Sequence, residues 1–168
     1  MAAPLGEVEQ AFRTYWQTGA VGEDWPAWAD LFAEDADYIE HVLGSMHGRD
    51  EIKAWIVPIM DQFSELYTFY EWHMIEGNRV VVYMQNRRDH PDPTQPPIDF
   101  PGITILRYAG GGKWASEEDY WALPQANRAS KAYAEACAKY DLDHAKKRTR
   151  QHWPDGPAWV RPAAVTDL

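Results

Sequence analysis

The chain has 168 residues, 45% hydrophobic and 14% aromatic, with nine tryptophans and nine tyrosines. That is enough to bury the core of one domain, and such aromatic content suits a lined cavity as well as a packed interior. A formal net charge of −10 argues against nucleic acid as the main partner, and the single cysteine, Cys137, excludes an intrachain disulfide and suits a reducing, cytoplasmic compartment. The N-terminal MAAPLGEVEQ has neither the basic flank nor the apolar centre of a secretory leader, and no apolar run reaches the roughly 18 residues of a membrane span.

Val8, Ala11, Phe12, Tyr15 and Trp16 recur at helical spacing and predict an amphipathic helix from about Leu5 to Thr18, broken by Gly19 to Gly22. Asp24 is placed to cap a second helix, with Pro26 in its first turn and Trp28, Leu31 and Phe32 on its buried side. Ala36 to Val42 reads as the first strand. Gly44 and Gly48 bracket a turn, and Asp50 can cap a third helix striped by Ile52, Trp55, Ile56, Ile59, Met60 and Phe63, which Pro58 should bend or shorten. After Phe63 the period changes to two: Tyr70, Trp72 and Met74 alternate with Glu71 and His73. Gly77-Asn78 is a hairpin turn, and Arg79 to Arg88 is a strong strand. Asp89 to Pro101, with five prolines, reads as a loop.

Ile103 to Tyr108 and Trp114 to Trp121 read as a hairpin around the glycines of Ala109 to Lys113. Pro124 fits the first turn of a last helix, with Ala129, Tyr133, Ala136, Cys137 and Tyr140 as its apolar stripe and Cys137 buried and inert. The basic run Lys146 to Arg150 complements a helix C-terminus, and the Pro- and Trp-containing tail from His152 to Leu168 should wrap a surface in extended form. The order predicts an α+β fold. A cone-shaped, strongly curved antiparallel sheet carries helices packed on its concave side, and a C-terminal helix and extended tail are added. Residues 1–123 would form the domain and 124–168 a helical extension and tail of it, with an apolar cavity at the open end of the cone.

Leu31 to Ile52 (LFAEDADYIEHVLGSMHGRDEI) carries Tyr38, Glu40, His41 and His47. Strand alternation puts Tyr38 and Glu40 on one face, Ile39 and His41 on the other. A carboxylate beside a phenol in an aromatic pocket is a candidate general base; the alternative is a structural carboxylate paired to an Arg or His. Tyr38 and Thr104 are candidate donors to a substrate oxygen. Glu117, Asp119 and Trp121 share one face of the last strand. Turned inward, that face would give the pocket several carboxylates, at least one of them protonated; a bulge would put Glu118 and Tyr120 inside instead. His73 is either an acid/base group or a wall histidine, and His47 stands where it can close the mouth. Tyr15, Trp16, Trp55, Trp72 and Trp121 are the candidate substrate-binding wall, with Glu117. No cysteine pair, HExxH or phosphate-binding loop appears, and the histidines match no metal-ligand spacing, so neither cofactor nor metal is expected.

LFAEDADYIEH (Leu31 to His41), the Gly48 and Ile52 start of a helix, and ILRYAGGGKW (Ile105 to Trp114) resemble the nuclear transport factor 2-like superfamily, more narrowly its SnoaL-like or ketosteroid-isomerase-like branch, over roughly residues 5–123. The resemblance implies the cone fold, a small-molecule pocket and pairing of two copies through the outer sheet face, with Val81, Tyr83, Ile103 and Ile105 as candidates. It does not choose among isomerases, cyclases, dehydratases, epoxide hydrolases and binding proteins. By that resemblance the isomerase base falls on Glu40, and its protonated acid donor, three residues before Arg107, is replaced by Thr104. The tyrosine donor has no clean counterpart, with Phe12 and Arg13 near its place. The His–Asp pair of the dehydratase branch would use Asp24, but His73 is out of place for it. The epoxide hydrolase relay would use Arg107 and Asp119, without an acid two residues from Arg107. The expectation is a small cofactor-independent isomerase, cyclase or dehydratase for an apolar carbonyl-bearing molecule, or a non-catalytic binding protein using the same pocket.

Overall fold

The computed structural model describes residues 4–147; the expected extended tail, and Arg148 to Arg150 of the basic run, lie outside them. Helix α1 spans Leu5–Trp16 and buries Val8, Ala11, Phe12, Tyr15 and Trp16 on one face. The chain then widens into a π-helical turn, Gln17–Val21. Helix α2, Trp25–Ala29, is a single turn capped by Asp24, whose carboxylate accepts from the Ala27 N–H at 3.0 Å. Strand β1 is Phe32–Glu40, β2 is Gly44–His47 and helix α3 is Arg49–Gln62. Strands β3 (Tyr67–Glu76), β4 (Arg79–Arg88), β5 (Ile98–Gly110) and β6 (Lys113–Trp121) follow, then helix α4 (Leu123–Tyr140) and the short α5 (His144–Lys147).

The six strands form one curved, unclosed sheet in the order β2-β1-β6-β5-β4-β3. All neighbours are antiparallel except β1 and β6, which run parallel and align Tyr38 with Glu117 and Glu40 with Asp119. The core lies between the concave face and helices α1 to α3: Trp28, Phe32, Val80, Val82, Leu106 and Trp114 are all buried there. No helix among the described residues is long and apolar enough to cross a membrane.

Several boundaries differ from the sequence expectation, each for a local reason. Strand β1 starts at Phe32, because Trp114 N–H bonds to Leu31 O and pulls Phe32 into the ladder opposite Trp114. GSMH, expected as a turn, pairs with β1 as β2 although its composition carries little β propensity. Asp50 does not cap α3; Gly48 holds that position, and Glu51 instead accepts from the His47 N–H at 2.8 Å. Helix α3 continues past Pro58 to Gln62. Strand β5 reaches back into the Pro-rich segment and begins at Ile98, opposite Arg88. The β5–β6 turn is Gly111-Gly112, with φ of +59° and +75°, a backbone that L side chains enter at a cost.

Gly19 is required by packing. A Cβ there would stand 2.5 Å from Trp28 Cδ1 and 3.2 Å from the Trp25 ring. Gly19→Ala must therefore displace the buried Trp28 ring, and we expect a loss of about 1–3 kcal/mol, read as a lower urea midpoint at unchanged m-value.

Candidate active site

The concave face and the helices above it enclose a cavity of about 300 Å³, the lower end of the range for small-molecule sites. Its walls are aromatic: Trp16, Trp25, Trp28 and Trp55 from the helices, Phe100 and Trp121 from the sheet. At the inner wall five polar side chains converge from four elements. Tyr15 of α1 donates to Glu117 Oε1 at 2.8 Å. Tyr38 of β1 and Thr104 of β5 donate to the two carboxylate oxygens of Asp119 on β6. Register brings them together, since β1 lies parallel to β6 and β5 pairs Thr104 with Asp119.

Glu117 is only 2% exposed, and its Oε2 has no hydrogen-bond partner. Burial, and then the neighbouring Asp119 charge, push its carboxyl well above the ordinary range. Burial likewise raises Asp119, opposed by the Thr104 and Tyr38 hydroxyls, to about 6. Burial and the two carboxylates hold Tyr15 and Tyr38 well above the ordinary phenol value, so both remain donors. One face thus carries two buried carboxyl groups, both pushed upward, and three hydroxyls that organise them.

Of the residues expected at the site, Tyr15, Trp16, Tyr38, Trp55, Thr104, Glu117, Asp119 and Trp121 line the cavity. Glu40 shares the face of Tyr38 but lies outside the lining. Its Oε2 accepts from the Val42 N–H at 3.2 Å and from the Leu43 N–H, closing the turn after β1, and Oε1 is buried with no hydrogen-bond partner. Burial raises its carboxyl, with the Leu43 N–H and the Trp121 indole opposing, and its charge raises Asp119 in turn. His73 is half-buried against Phe12, with ring centroids 4.5 Å apart, and its Nδ1 lies 2.8 Å from the Tyr70 hydroxyl; it does not reach the cavity.

Trp72 is corrected. A bulge between Tyr70 and Trp72 inserts one residue into β3, so Trp72 turns to the outer face, 44% exposed and stacked on Tyr83. His41 stacks on Tyr120 and meets Glu118 at 3.3 Å, on the face opposite Glu40. His47 pairs with Asp37 at 2.7 Å in the open, away from the cavity lining. Arg107 is exposed, on the sheet face opposite the buried Leu106 and Tyr108. Among the described residues no group of three or more His, Cys, Asp or Glu side chains is placed to hold a metal ion. Sequence reasoning missed Arg88, which lines the cavity at its other end, under α4; its place on the inner face of β4 followed from Val80 and Val82 by alternation alone.

The profile of the SnoaL-like domain matches residues 8–117. No curated protein matches. Among solved structures, a hypothetical protein of ketosteroid isomerase-like fold from Catenulispora acidiphila, in complex with trimethylamine, is 26% identical, with a TM-score of 0.58, covering 70% of this chain and 90% of its own. A putative SnoaL-like polyketide cyclase from Jannaschia sp. is 19% identical, with a TM-score of 0.55, covering 77% and 96%. An epoxide hydrolase from M. tuberculosis, of the LEH-like type, is 11% identical, with a TM-score of 0.63, covering 80% and 96%. The last two share the fold.

Proposed function

The chain belongs to the SnoaL-like domain family, and on that premise we propose a cofactor-independent isomerase, cyclase or dehydratase that works by acid/base chemistry on an apolar, carbonyl-bearing molecule. The observation that carries this reading is the Tyr38–Asp119–Thr104 triad beside the buried Glu117 on the wall of an aromatic cavity, Glu117 being taken in this reading as the neutral acid. The general base expected at Glu40 passes to Asp119, because Asp119 faces the cavity while Glu40 is occupied by the turn after β1. Near neutral pH Asp119 is largely ionised and removes a proton next to the substrate carbonyl. As Asp119 takes the proton, its hold on the Tyr38 and Thr104 hydroxyls weakens, and one of them turns to the oxyanion that forms. Glu40 supports the base through its charge and its grip on the β1–β2 turn.

Wild-type protein should exchange the α-protons of a bound polycyclic ketone with D2O, followed by NMR, with a rate rising through pH 6 as Asp119 ionises. Glu117→Gln copies the neutral acid in shape and hydrogen bonding, so exchange should fall by no more than about threefold, whereas a carboxylate needed at position 117 would cost a hundredfold or more. A second reading, a non-catalytic binding protein, is favoured by the trimethylamine bound to the similar Catenulispora protein and by the way Asp119 is already satisfied by two hydroxyls. Binding without exchange across a panel of ketones would select it. Pairing of two copies is proposed on the outer sheet face, where Trp72, Met74, Ile103 and Tyr120 are exposed; light scattering at micromolar concentration reads the mass.

A further inference from the structure

The inner wall accounts for one end of the cavity. The other end holds Arg88, the only cationic side chain among the described residues that line it. Arg88 is buried, 5% exposed. Its Nε donates to Glu65 Oε1 at 3.0 Å, its guanidinium carbon lies 5.5 Å from the Tyr133 ring centroid, and Nη1 has no hydrogen-bond partner. Glu65 and Tyr133 thus fix the plane of the guanidinium while using one of its five N–H groups. A buried fork with donors to spare at a cavity wall matches a planar anionic acceptor.

The ladder sets the distance. Val82 pairs with Thr104, and Thr104 pairs with Asp119. Val82 and Arg88 share the inner face of β4 and stand roughly 20 Å apart along an extended strand. Between them lie the apolar Met84 beside Gly102 and one polar side chain, Asn86, beside Phe100. A Cβ at Gly102 would lie 3.0 Å from Asn86 Nδ2, so the glycine makes room for the Asn86 amide on this stretch of floor.

We propose that the cavity takes an elongated, flat, apolar molecule bearing a carboxylate, with that carboxylate at Arg88 and its opposite end at Asp119. The proposal rests on the cavity reading above but not on Asp119 acting as a base. Tryptophan fluorescence titrations with anthracene-2-carboxylate and anthracene-2-carboxamide at pH 8 test it. The wild-type protein should bind the carboxylate at least about tenfold more tightly than the amide. The double variant Glu65→Leu/Arg88→Met leaves no lone buried charge and should bind both probes with equal affinity. Arg88→Lys keeps the charge but not the fork and should lose most of the preference. Asp119→Asn should retain the preference in full, so loss of catalysis and loss of carboxylate recognition separate. Equal affinities in the wild type, no binding of the carboxylate, or a preference that survives the double variant would each overturn the proposal.

Discussion

Asp119→Asn should cut turnover by about a hundredfold to ten-thousandfold while raising the melting temperature at neutral pH. The two effects share one cause. In the fold the Asp119 carboxyl titrates at about 6, against an ordinary value of 3.8. The folded protein therefore holds this proton more tightly than the unfolded chain does. Stability from the group is fully present below pH 4, falls as pH rises to about 6, and stays lost above. The integrated loss is about 3 kcal/mol at pH 7.5. Asparagine has no charge to desolvate and can still bond the Tyr38 and Thr104 hydroxyls. The variant should melt several degrees above wild type at pH 7.5, with the difference closing below pH 4. Thermal melts at the two pH values, with α-proton exchange measured alongside, check both halves. An Asn variant that turns over at the wild-type rate would remove Asp119 from the chemistry, and one that melts lower at pH 7.5 would remove the desolvation argument.

Trp28→Ala should be the most damaging change to stability among the cavity residues. Trp28 is 3% exposed. Its ring lies 4.9 Å from Phe32, 5.3 Å from Tyr15, 5.4 Å from Trp25 and 6.2 Å from Tyr38, centroid to centroid. It thus joins α1, α2 and β1, and it backs both tyrosines that serve the carboxylates. Truncation leaves a void that rigid rings cannot close, at about 3–5 kcal/mol, or a fall of roughly 10–20 °C in melting temperature. Ligand affinity should fall with it, even at temperatures where the variant is folded. Trp28→Phe, which refills most of the void, should recover more than half of the stability. A melting point within about 3 °C of wild type for Trp28→Ala would show that the ring cluster repacks freely.

Much of this was legible in the chain, to different depths. The amphipathic stripe of α1, the Asp24 cap and the glycine hairpin are local signals that the structure keeps, whereas the cap expected at Asp50 passes to Gly48. The inward face of β6 was readable as one of two registers, because Glu117, Asp119 and Trp121 alternate; the structure takes that one. Glu40 was placed on the correct face, yet its occupation by the Val42 and Leu43 N–H groups depends on a turn whose shape no spacing announces. Trp72 was misplaced because a bulge adds a residue without leaving a pattern in composition. Tyr15 was expected on the wall, but its hydrogen bond to Glu117 arises only through the way α1 crosses the sheet. Arg88 ends the strand read from Arg79, and its burial depends on Tyr133 of α4, which no local pattern announces.

The parallel contact of β1 with β6 also governs how the molecule must be made. Tyr38 and Asp119 are 81 residues apart in the chain, and Tyr15 and Glu117 are 102 apart. During synthesis β1 emerges with only β2 beside it, and its second neighbour does not exist until Lys113–Trp121 has been added. Loops of that length close slowly, and a strand waiting with an open edge is exposed to the wrong partners meanwhile. Folding should therefore be slow for a domain of this size, with the ring cluster around Trp28 solvated until the last hairpin docks. An N-terminal fragment ending before β6 should neither bind ligand nor stay soluble, because both cavity carboxyls and the helix over Arg88 are written at the far end of the chain.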